Sequence, residues 1–289
     1  MNGPYSDLDR PPLNAAGLRR ALVGGDSPWT SLDVVETTGS TNADLVERAR
    51  GGAAEGAVLV AESQSAGRGR LGRTWSAPPR SGLHVSVLLR PGTGADPVAP
   101  ERWGWLPLLA GAAAAEALSA VSGADVRLKW PNDLLVAVDG EDRKTGGILA
   151  EAAGPAVVVG IGVNVSLRQE ELPVPTAGSL ALGGAKAADR DPLLRYLLRA
   201  LAARYLSWRQ FGGDPEAGRL REVYESHCAT LGRRVRAELP GGRTLTGEAV
   251  GVDGDGRLLI AEDGSGDGPT AVDAADVVHL RGEGGDYAG

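Results

Sequence analysis

The first two thirds of the chain alternate short apolar runs with longer segments rich in alanine and leucine. LDVVE at residues 32–36 and AVLVAE at 57–62 are apolar runs of strand length. Two further runs, at 134–138 and 144–153, flank the acidic turn DGED and predict a β-hairpin. Together the pattern predicts strands at residues 32–36, 57–62, 83–91, 126–130, 134–138, 144–153 and 156–166.

Other segments predict helices. At residues 37–50 a polar loop leads into a helix for which Ser40 or Thr41 is the N-cap. Two more helices are expected at 192–211 and 215–227, after the last strand of this part of the chain. The regular mixture of strands and helices predicts a layered domain with one large core.

Two further segments, the N-terminal arm and the most apolar stretch of the chain, are also predicted to contain helices. Residues 1–28 are rich in proline, glycine and polar residues, which predicts a loose arm with a short helix at 15–23. Residues 101–121 are rich in alanine and leucine, but Pro107 and Glu116 interrupt them. We therefore interpret them as a buried helix and not as a membrane span.

The composition changes near residue 230. From Leu231 onward short β runs alternate with glycine-rich turns, a spacing typical of a small barrel or sandwich. DGDG at 253–256 lacks the later acid of a calcium loop and predicts a hairpin turn. The fold class is therefore α+β, with a mixed or antiparallel sheet, helices on one side, and a small β domain. We expect an arm at 1–28, a first domain at 29–230 and a second domain at 231–289.

Charge and cysteine content narrow the class of protein. The 289-residue chain has a formal net charge of −7 at pH 7, which argues against a protein that coats nucleic acid. Its single cysteine, Cys228, allows no intramolecular disulfide, and the N-terminus lacks the pattern of a signal peptide. These features are typical of a cytoplasmic protein.

A stretch rich in glycine and arginine, AGRGRLGRTW at residues 66–75, follows the second predicted strand. Its glycines fit the G-x-G-x-x-G spacing of a dinucleotide site, but Pro78 and Pro79 deny the helix that such a site requires. Glycine allows close backbone approach, and arginine supplies forked donors for phosphate and carboxylate oxygens. The composition fits either a solvated basic loop or a lid that an anionic ligand orders.

Four other segments carry polar residues suited to a ligand. GSTN at 39–42 lies at a helix N-terminus, which suits a ligand head group as well as an ordinary cap. LKWPND at 128–133 ends a strand and is also typical of a plain β-turn. In RKTGGILAE, Lys144 is one of only three lysines, which indicates a site that prefers an ammonium group, or chance. In GIGVNVS at 160–166, Asn164 needs a hydrogen-bond partner, either structural or a ligand.

In this order the five motifs resemble those of biotin–protein ligases, also called biotin–[acetyl-CoA-carboxylase] ligases. The order is GSTN, ESQxAGRGRxGRxW, KWPND, KxGGILxE and GxGxN, and the match extends from about residue 33 to 281. The resemblance implies a class II synthetase-like catalytic domain and an SH3-like C-terminal domain. It also implies synthesis of biotinyl-5′-AMP and pyrophosphate from biotin and MgATP. Biotin is then transferred to a lysine of a biotin carboxyl carrier domain.

The resemblance also implies roles for single residues. Lys144 and Arg70 are expected at the reaction centre, where positive charge holds the biotin carboxylate against the α-phosphate. Trp75 is expected to stack on adenine, and Asp133 to orient Mg²⁺ or serve as a general base. The implied biotin-binding residues are Ser40, Thr41, Asn42, Gln64, Gly67, Arg68, Gly69, Arg70 and Lys144. The implied ATP-binding residues are Arg70, Arg73, Trp75, Lys129, Asn132 and Asn164.

Two alternatives stay open. A lipoate–protein ligase shares the catalytic fold, although consecutive arginines would be expected there, whereas these alternate with glycine. A non-catalytic biotin sensor or DNA-binding regulator would need a helix-turn-helix module, and only about 30 residues precede the first ligase strand. The sequence is similar to the short, ligase-only class, so we expect neither DNA binding nor a membrane partner.

Overall fold

The computed structural model describes residues 10–239, 242–264, 268–273 and 276–279. Its helices are α1 (Ala15–Leu22), α2 (Thr41–Arg50), α3 (Trp105–Ser122), α4 (Arg190–Gln210) and α5 (Leu220–His227). Nine strands precede α4: β1 (Ser31–Thr38), β2 (Ala57–Gln64), β3 (Gly67–Arg68), β4 (Thr74–Trp75), β5 (Gly82–Leu89), β6 (Arg127–Lys129), β7 (Asp133–Val138), β8 (Glu141–Ala153) and β9 (Ala156–Asn164). Five strands follow α5: β10 (Arg234–Glu238), β11 (Thr244–Val252), β12 (Leu258–Glu262), β13 (Thr270–Val272) and β14 (Asp276–His279).

The larger sheet has seven strands in the order β1-β2-β5-β9-β8-β7-β6. The β1–β2 pair is parallel, and the other five ladders are antiparallel. Asp139 and Gly140, with φ of 53° and 80°, form the tight turn of the β7–β8 hairpin. The sheet is therefore mixed, as predicted.

Helices cover both faces of this sheet, so the prediction of helices on one side was wrong. On one face Val85 and Val159 share a core with residues of α3 and α4. On the other face Leu88 and Val158 pack with Leu45 of α2. This second face also carries the polar motifs, because alternate side chains of a strand point to opposite faces.

α3 is the apolar segment predicted to be a buried helix, and the structure confirms that prediction. It is long and apolar enough to cross a membrane by length and composition, but 72% of it is buried inside the molecule. It begins at Trp105, later than predicted, after a short 3₁₀ turn at Pro100–Arg102. α5 also begins later, at Leu220, because Arg219 before it has a φ of 55° and cannot continue a helix.

The described part of the N-terminal arm, residues 10–28, is packed and not loose, which corrects the sequence prediction. α1 forms as predicted, and its N-cap Asn14 accepts a hydrogen bond from the Gly17 N–H group. Its two core leucines, Leu18 and Leu22, are 0% and 3% exposed. Burial of each leucine stabilises the packed arm by about 1.5–3 kcal/mol. The prediction of a loose arm relied on the average composition of the segment and did not include this contribution. Residues 1–9 lie outside the described residues.

The five C-terminal strands form an antiparallel sheet in the order β13-β12-β11-β10-β14. The predicted hairpin turn at 253–256 is present, and the Asp253 side chain accepts hydrogen bonds from the Asp255 and Arg257 N–H groups. Val235 and Ile260 of this sheet belong to the same core cluster as α3. The two parts of the chain therefore pack against each other, with the turn directed at the first domain.

Candidate active site

A cleft of about 60 Å³ opens on the face of the large sheet that carries α2. Glycines form its floor. A Cβ on Gly160 of β9 would lie 2.1 Å from Asn42 Oδ1, and one on Gly162 would lie 2.9 Å from the Trp75 ring. The G-x-G of the GIGVNVS motif is therefore required by close approach of neighbouring side chains and not by a turn.

The cleft gathers residues from all five sequence motifs, which are far apart in the chain. Nine of the predicted residues line it: Ser40, Thr41, Asn42, Gln64, Arg68, Gly69, Trp75, Asn132 and Lys144. Arg70 borders an adjoining cavity instead, where its Nη1 donates to Asn132 Oδ1 at 3.2 Å. Gly67, Arg73, Lys129, Asp133 and Asn164 are outside the cleft wall.

The N-terminus of α2 supplies the polar end of the cleft. Gln64 Oε1 accepts hydrogen bonds from the Thr41 backbone N–H group at 2.8 Å and from its hydroxyl at 3.1 Å. Asn42 donates to Leu149 O at 3.0 Å and to Glu151 Oε2 at 2.9 Å. These bonds fix donors and acceptors in position before any ligand arrives, which lowers the cost of recognising a polar head group.

Basic side chains also line the cleft, and Lys144 marks its basic end. Lys144 Nζ lies 2.6 Å from Asp133 Oδ1. Arg68 Nη1 lies 3.4 Å from Oε1 of Glu151, the carboxylate that also accepts a hydrogen bond from Asn42. Because these pairs are partly exposed, they are weak enough for an anionic ligand to compete for the cations. This end of the cleft therefore suits a carboxylate or a phosphate group.

A short hairpin, residues 67–75, covers the cleft and is called the lid here. β3 and β4 pair through two residues each, and Gly69 N donates to Arg73 O at 2.7 Å. A Cβ on Gly67 would lie 2.4 Å from the Trp75 carbonyl oxygen, so this position requires glycine. At the tip Leu71 is 73% exposed and has a φ of 55°. The glycine spacing thus builds a hairpin and not a dinucleotide turn.

The sequence matches two family descriptions, "Biotin/lipoate A/B protein ligase family" over residues 34–167 and "Biotin protein ligase C terminal domain" over residues 230–285. A biotin--[acetyl-CoA-carboxylase] ligase of Mycobacterium tuberculosis is 45% identical over 279 residues, which cover 95% of this chain and 98% of that protein. The chain belongs to the biotin–protein ligase family. It is therefore an enzyme of the ligase class, as the motifs implied.

Solved structures agree with this assignment. The biotin protein ligase of Aquifex aeolicus in complex with biotin and ATP has a TM-score of 0.70 and 28% identity, and the match covers 88% of this chain and all of that one. The ligase of Leishmania major in complex with biotinyl-5-AMP has a TM-score of 0.55 and 25% identity, over 86% of this chain and 99% of that one. They confirm the α+β fold, and the C-terminal match identifies an SH3-like domain.

Two residues at or beside the ligase's cleft, His84 and Ser86, lie outside the motifs, and Glu151 ends the motif KxGGILxE but was given no role. Ser86 Oγ donates to Asn42 Oδ1 at 2.6 Å, and Glu151 accepts from Asn42 and pairs with Arg68. His84 lines the cleft, is 2% exposed, and finds no partner for either ring nitrogen among the described residues. The one available signal was the polar alternation of H and S in LHVSVLL, which places both on one face of β5.

His84 is neutral at physiological pH. The pKa of its imidazole is lowered to about 4, mainly by burial and also by the nearby Arg190 charge, against an opposing effect of Glu62. A neutral ring presents one N–H donor and one acceptor. The cleft therefore contains one donor and one acceptor, both on the His84 ring, that have no hydrogen-bond partner among the described residues. They lie next to Gly162 and the lid.

Two residues implied at the ATP site lie outside the cleft. Asn164 is 3% exposed, and its Nδ2 donates to Gly178 O at 3.0 Å, which is the structural partner that the sequence left open. Lys129, on edge strand β6, lies near enough to His279 for its charge to help lower the pKa of that imidazole. β6 is at the sheet edge beside the C-terminal domain, so Lys129 is drawn away from the cleft.

One carboxylate, that of Asp133, supports the predicted Mg²⁺ site. In the described ranges no group of three or more His, Cys, Asp or Glu residues gathers into a metal site. Asp133 stands beside Lys144 at the basic end of the cleft. Nucleotide-bound Mg²⁺ commonly takes one or two carboxylates together with substrate phosphates and water, so this donor fits such an ion.

Proposed function

We propose that this ligase is an ATP-dependent biotin–protein ligase that forms biotinyl-5′-AMP and then transfers biotin to a carrier lysine. The observation that supports this most directly is a cleft that combines the polar α2 N-terminus with two basic side chains, Lys144 and Arg68. Adenylation brings a carboxylate against an α-phosphate, and both are anions. Preorganised cations are needed to hold them together, and the basic end supplies them.

In the proposed first step, Ser40, Thr41 and Gln64 bind the ureido end of biotin. Lys144 leaves Asp133 and bridges the biotin carboxylate and the α-phosphate. A carboxylate oxygen then bonds to the α-phosphorus, and pyrophosphate leaves with the electron pair of the broken P–O bond. Trp75 closes over the intermediate and offers its indole face to adenine.

Asp133 and Asn132 would face the phosphates during this step. Mg²⁺, when bound with ATP at Asp133, would neutralise phosphate charge. Arg70 already contacts Asn132 at 3.2 Å, so both side chains are positioned where the pyrophosphate would depart. Arg73, at the exposed end of the lid, is proposed as a more peripheral phosphate contact.

In the proposed second step, the neutral amine of a carrier lysine attacks the carbonyl carbon of the adenylate. The new N–C amide bond forms as the C–O bond to AMP breaks, and AMP leaves as an anion. The Mycobacterium tuberculosis relative is named for acetyl-CoA carboxylase. We therefore propose the biotin carboxyl carrier domain of such a carboxylase as the acceptor, in the cytoplasm.

Biotin-dependent ATP–pyrophosphate exchange tests this proposal, with lipoate as the competing acid. The wild-type enzyme should exchange with biotin and prefer it to lipoate. Lys144→Ala should slow exchange by roughly 100-fold or more, the usual cost of losing one donor to developing charge. Lys186→Ala, at an exposed lysine outside the cleft, is the matched control and should exchange normally.

Two outcomes would contradict the assignment. A preference for lipoate would make the enzyme a lipoate–protein ligase, and no exchange with either acid would make it a non-catalytic sensor. A folded Lys144→Ala protein with normal exchange would remove the proposed role of Lys144 while leaving the activity itself in place.

A further inference from the structure

A second cavity, of about 230 Å³, lies between the first domain and the C-terminal β domain. We call it the interdomain groove. Pro107, Leu108 and Trp130 give it apolar walls on the first domain, and Asp255 and Asp273 line it from the C-terminal domain. The proposed chemistry uses only its inner end, where Arg70 and Asn132 are proposed to contact the departing pyrophosphate.

The interdomain groove joins the basic end of the cleft. Asn132 and Ile148 line both spaces, and Arg70, which lines the groove, is hydrogen-bonded to Asn132. A group that enters along the groove therefore arrives where the carbonyl of the adenylate is proposed to lie. Arg70 belongs to the lid, so the lid borders the inner end of this route.

The β11–β12 turn that carries Asp255 is fastened to the first domain. Trp105 Nε1 and Arg102 Nη1 donate to Gly254 O at 2.9 and 3.0 Å, and Trp130 Nε1 donates to Gly256 O at 3.0 Å. Asp255 lies between these two anchored carbonyls. Its exposed carboxylate is therefore presented to the interdomain groove by a rigid backbone.

Glycine at position 256 makes this approach possible. Its φ is 86°, and a Cβ there would lie 2.8 Å from Leu108 Cδ1. The sequence DGDG thus serves two purposes, since it turns the hairpin and also brings its tip against α3. A plain solvent-exposed hairpin would require only the first.

The C-terminal wall of the groove is negative. Arg257 pairs with Asp253 at 2.7 Å and with Asp255 at 3.2 Å, and the charge of Asp273 also acts on it. Three carboxylates around one guanidinium leave net negative charge on this wall. It repels a triphosphate and attracts a cation, whereas Arg70 at the inner end has the opposite charge.

We propose that the interdomain groove receives the acceptor lysine of the carrier protein, an inference that rests on the proposed function. The ammonium group is captured at Asp255 and Asp273, and the aliphatic stem packs along Leu108 and Trp130. The groove is thus a docking site for a lysine-bearing protein segment. Its outer part, at Asp255 and Asp273, lies outside the proposed biotin and ATP sites, and its inner end at Arg70 and Asn132 is free for the lysine once pyrophosphate has left.

The charge reversal along the groove also favours the reactive form of the lysine. Carboxylates stabilise the ammonium at the entrance, whereas positive neighbours disfavour it. As the amine moves toward Arg70 and Lys144, one proton is released to water, and the neutral nitrogen then attacks the adenylate. The second proton leaves to water as the amide forms and AMP departs.

The test is single-turnover transfer from enzyme-bound biotinyl-5′-AMP with the double variant Asp255→Asn/Asp273→Asn. One acceptor is the carrier domain, and the other is hydroxylamine at pH 7.5, a small neutral nucleophile. Transfer to the carrier should fall roughly three- to tenfold, mainly through a higher KM, as expected for loss of two exposed charge contacts. Reaction with hydroxylamine and biotin-dependent exchange should match the wild type.

The control Glu238→Gln/Asp263→Asn removes two carboxylates from the same domain outside the groove walls, and it should leave all three rates unchanged. Equal carrier transfer by the groove variant and the wild type would overturn the inference. So would slower exchange or an altered Mg²⁺ requirement in the groove variant, since the wall would then serve nucleotide or metal. Wild-type protein without biotin-dependent exchange would instead overturn the proposed function, and the inference with it.

Discussion

At the scale of single residues, the shape of the cleft depends on a glycine, whose lack of a side chain leaves room for its neighbours. Gly160 lies opposite Ser86 on one side and Leu149 on the other. Asn42 occupies the space above it and bonds to both neighbours. The α2 N-terminus can therefore approach the sheet only because position 160 has no Cβ.

Gly160→Ala should displace Asn42, since the added Cβ would lie 2.1 Å from Asn42 Oδ1. We expect biotin-dependent exchange to fall at least roughly tenfold and the free energy of unfolding to fall by about 1–3 kcal/mol from overpacking. Exchange assays and urea unfolding measure both. Gly51→Ala, at the other end of α2, meets contacts no closer than 3.4 Å and is the control. Equal behaviour of the two variants would contradict this role of Gly160.

The contiguous motifs could be predicted from sequence, but their partners could not. The resemblance of GSTN and KxGGILxE to the family's motifs implied a site role for Asn42 and Lys144. His84 and Ser86 are single polar residues in an apolar run, and their role depends on the pairing of β5 with β9. Strand register joins residues about 80 positions apart, and that information is absent from any local window.

At the scale of elements, the lid is a short hairpin with an exposed tip. Its ladder has two residue pairs, Arg68 pairs with Glu151, and Arg70 donates to Asn132. A short ladder and an exposed tip are features of a segment with low local stability. An anion bound by Arg68 and Arg70 would add charge-assisted bonds across the cleft.

Trypsin should therefore cut the empty enzyme within the lid, after Arg70 or Arg73. Biotin and ATP together should slow this cleavage roughly tenfold, because the bound adenylate joins the lid to the sheet. Mass spectrometry of timed digests measures the rate at each site. Cleavage after Arg50, an exposed arginine at the end of α2, serves as the internal control. Lid cleavage that ignores both ligands would contradict the ordering.

Element type was predictable where local signals were strong, and element packing was not. The DG turn of the β7–β8 hairpin and the Ser40 cap of α2 both appeared as predicted. The arm at residues 10–28 was expected to be loose, yet α1 buries two leucines in the core. Packing of that kind depends on a complementary surface elsewhere in the chain, which periodicity cannot supply.

At the scale of the whole molecule, the two parts of the chain meet around polar groups as well as the core. Thr230 Oγ1 lies 3.0 Å from His279 Nε2 and accepts a hydrogen bond from Trp130 N at 3.0 Å. The change of composition near residue 230 indicated a second domain. It gave no sign that this domain would bring a negative turn to the basic end of the cleft.

Two buried histidines, one in each sheet, should make the fold sensitive to mild acid. The pKa of His84 is lowered to about 4 and that of His279 to about 3, mainly by burial, from an ordinary value of 6.5. Below pH 6.5 the unfolded chain binds protons that the folded chain does not, so stability falls as pH falls toward 4. The pKa of Glu171 is lowered from 4.5 by Arg10, so its contribution is lost only below that range.

Between pH 7.5 and 5.5, each of these histidines should cost roughly 1 kcal/mol of unfolding free energy by proton linkage. Urea unfolding at both pH values measures the loss for the wild type and for His84→Gln/His279→Gln. Between the two pH values, the double variant should lose roughly 2 kcal/mol less unfolding free energy than the wild type. Its stability at pH 7.5 does not affect this result, because each protein's loss is measured against its own value at pH 7.5. The two single variants should each recover about half of that difference, since the residues lie in separate sheets and do not touch. An identical loss in all four proteins would show that neither imidazole is kept neutral by the fold.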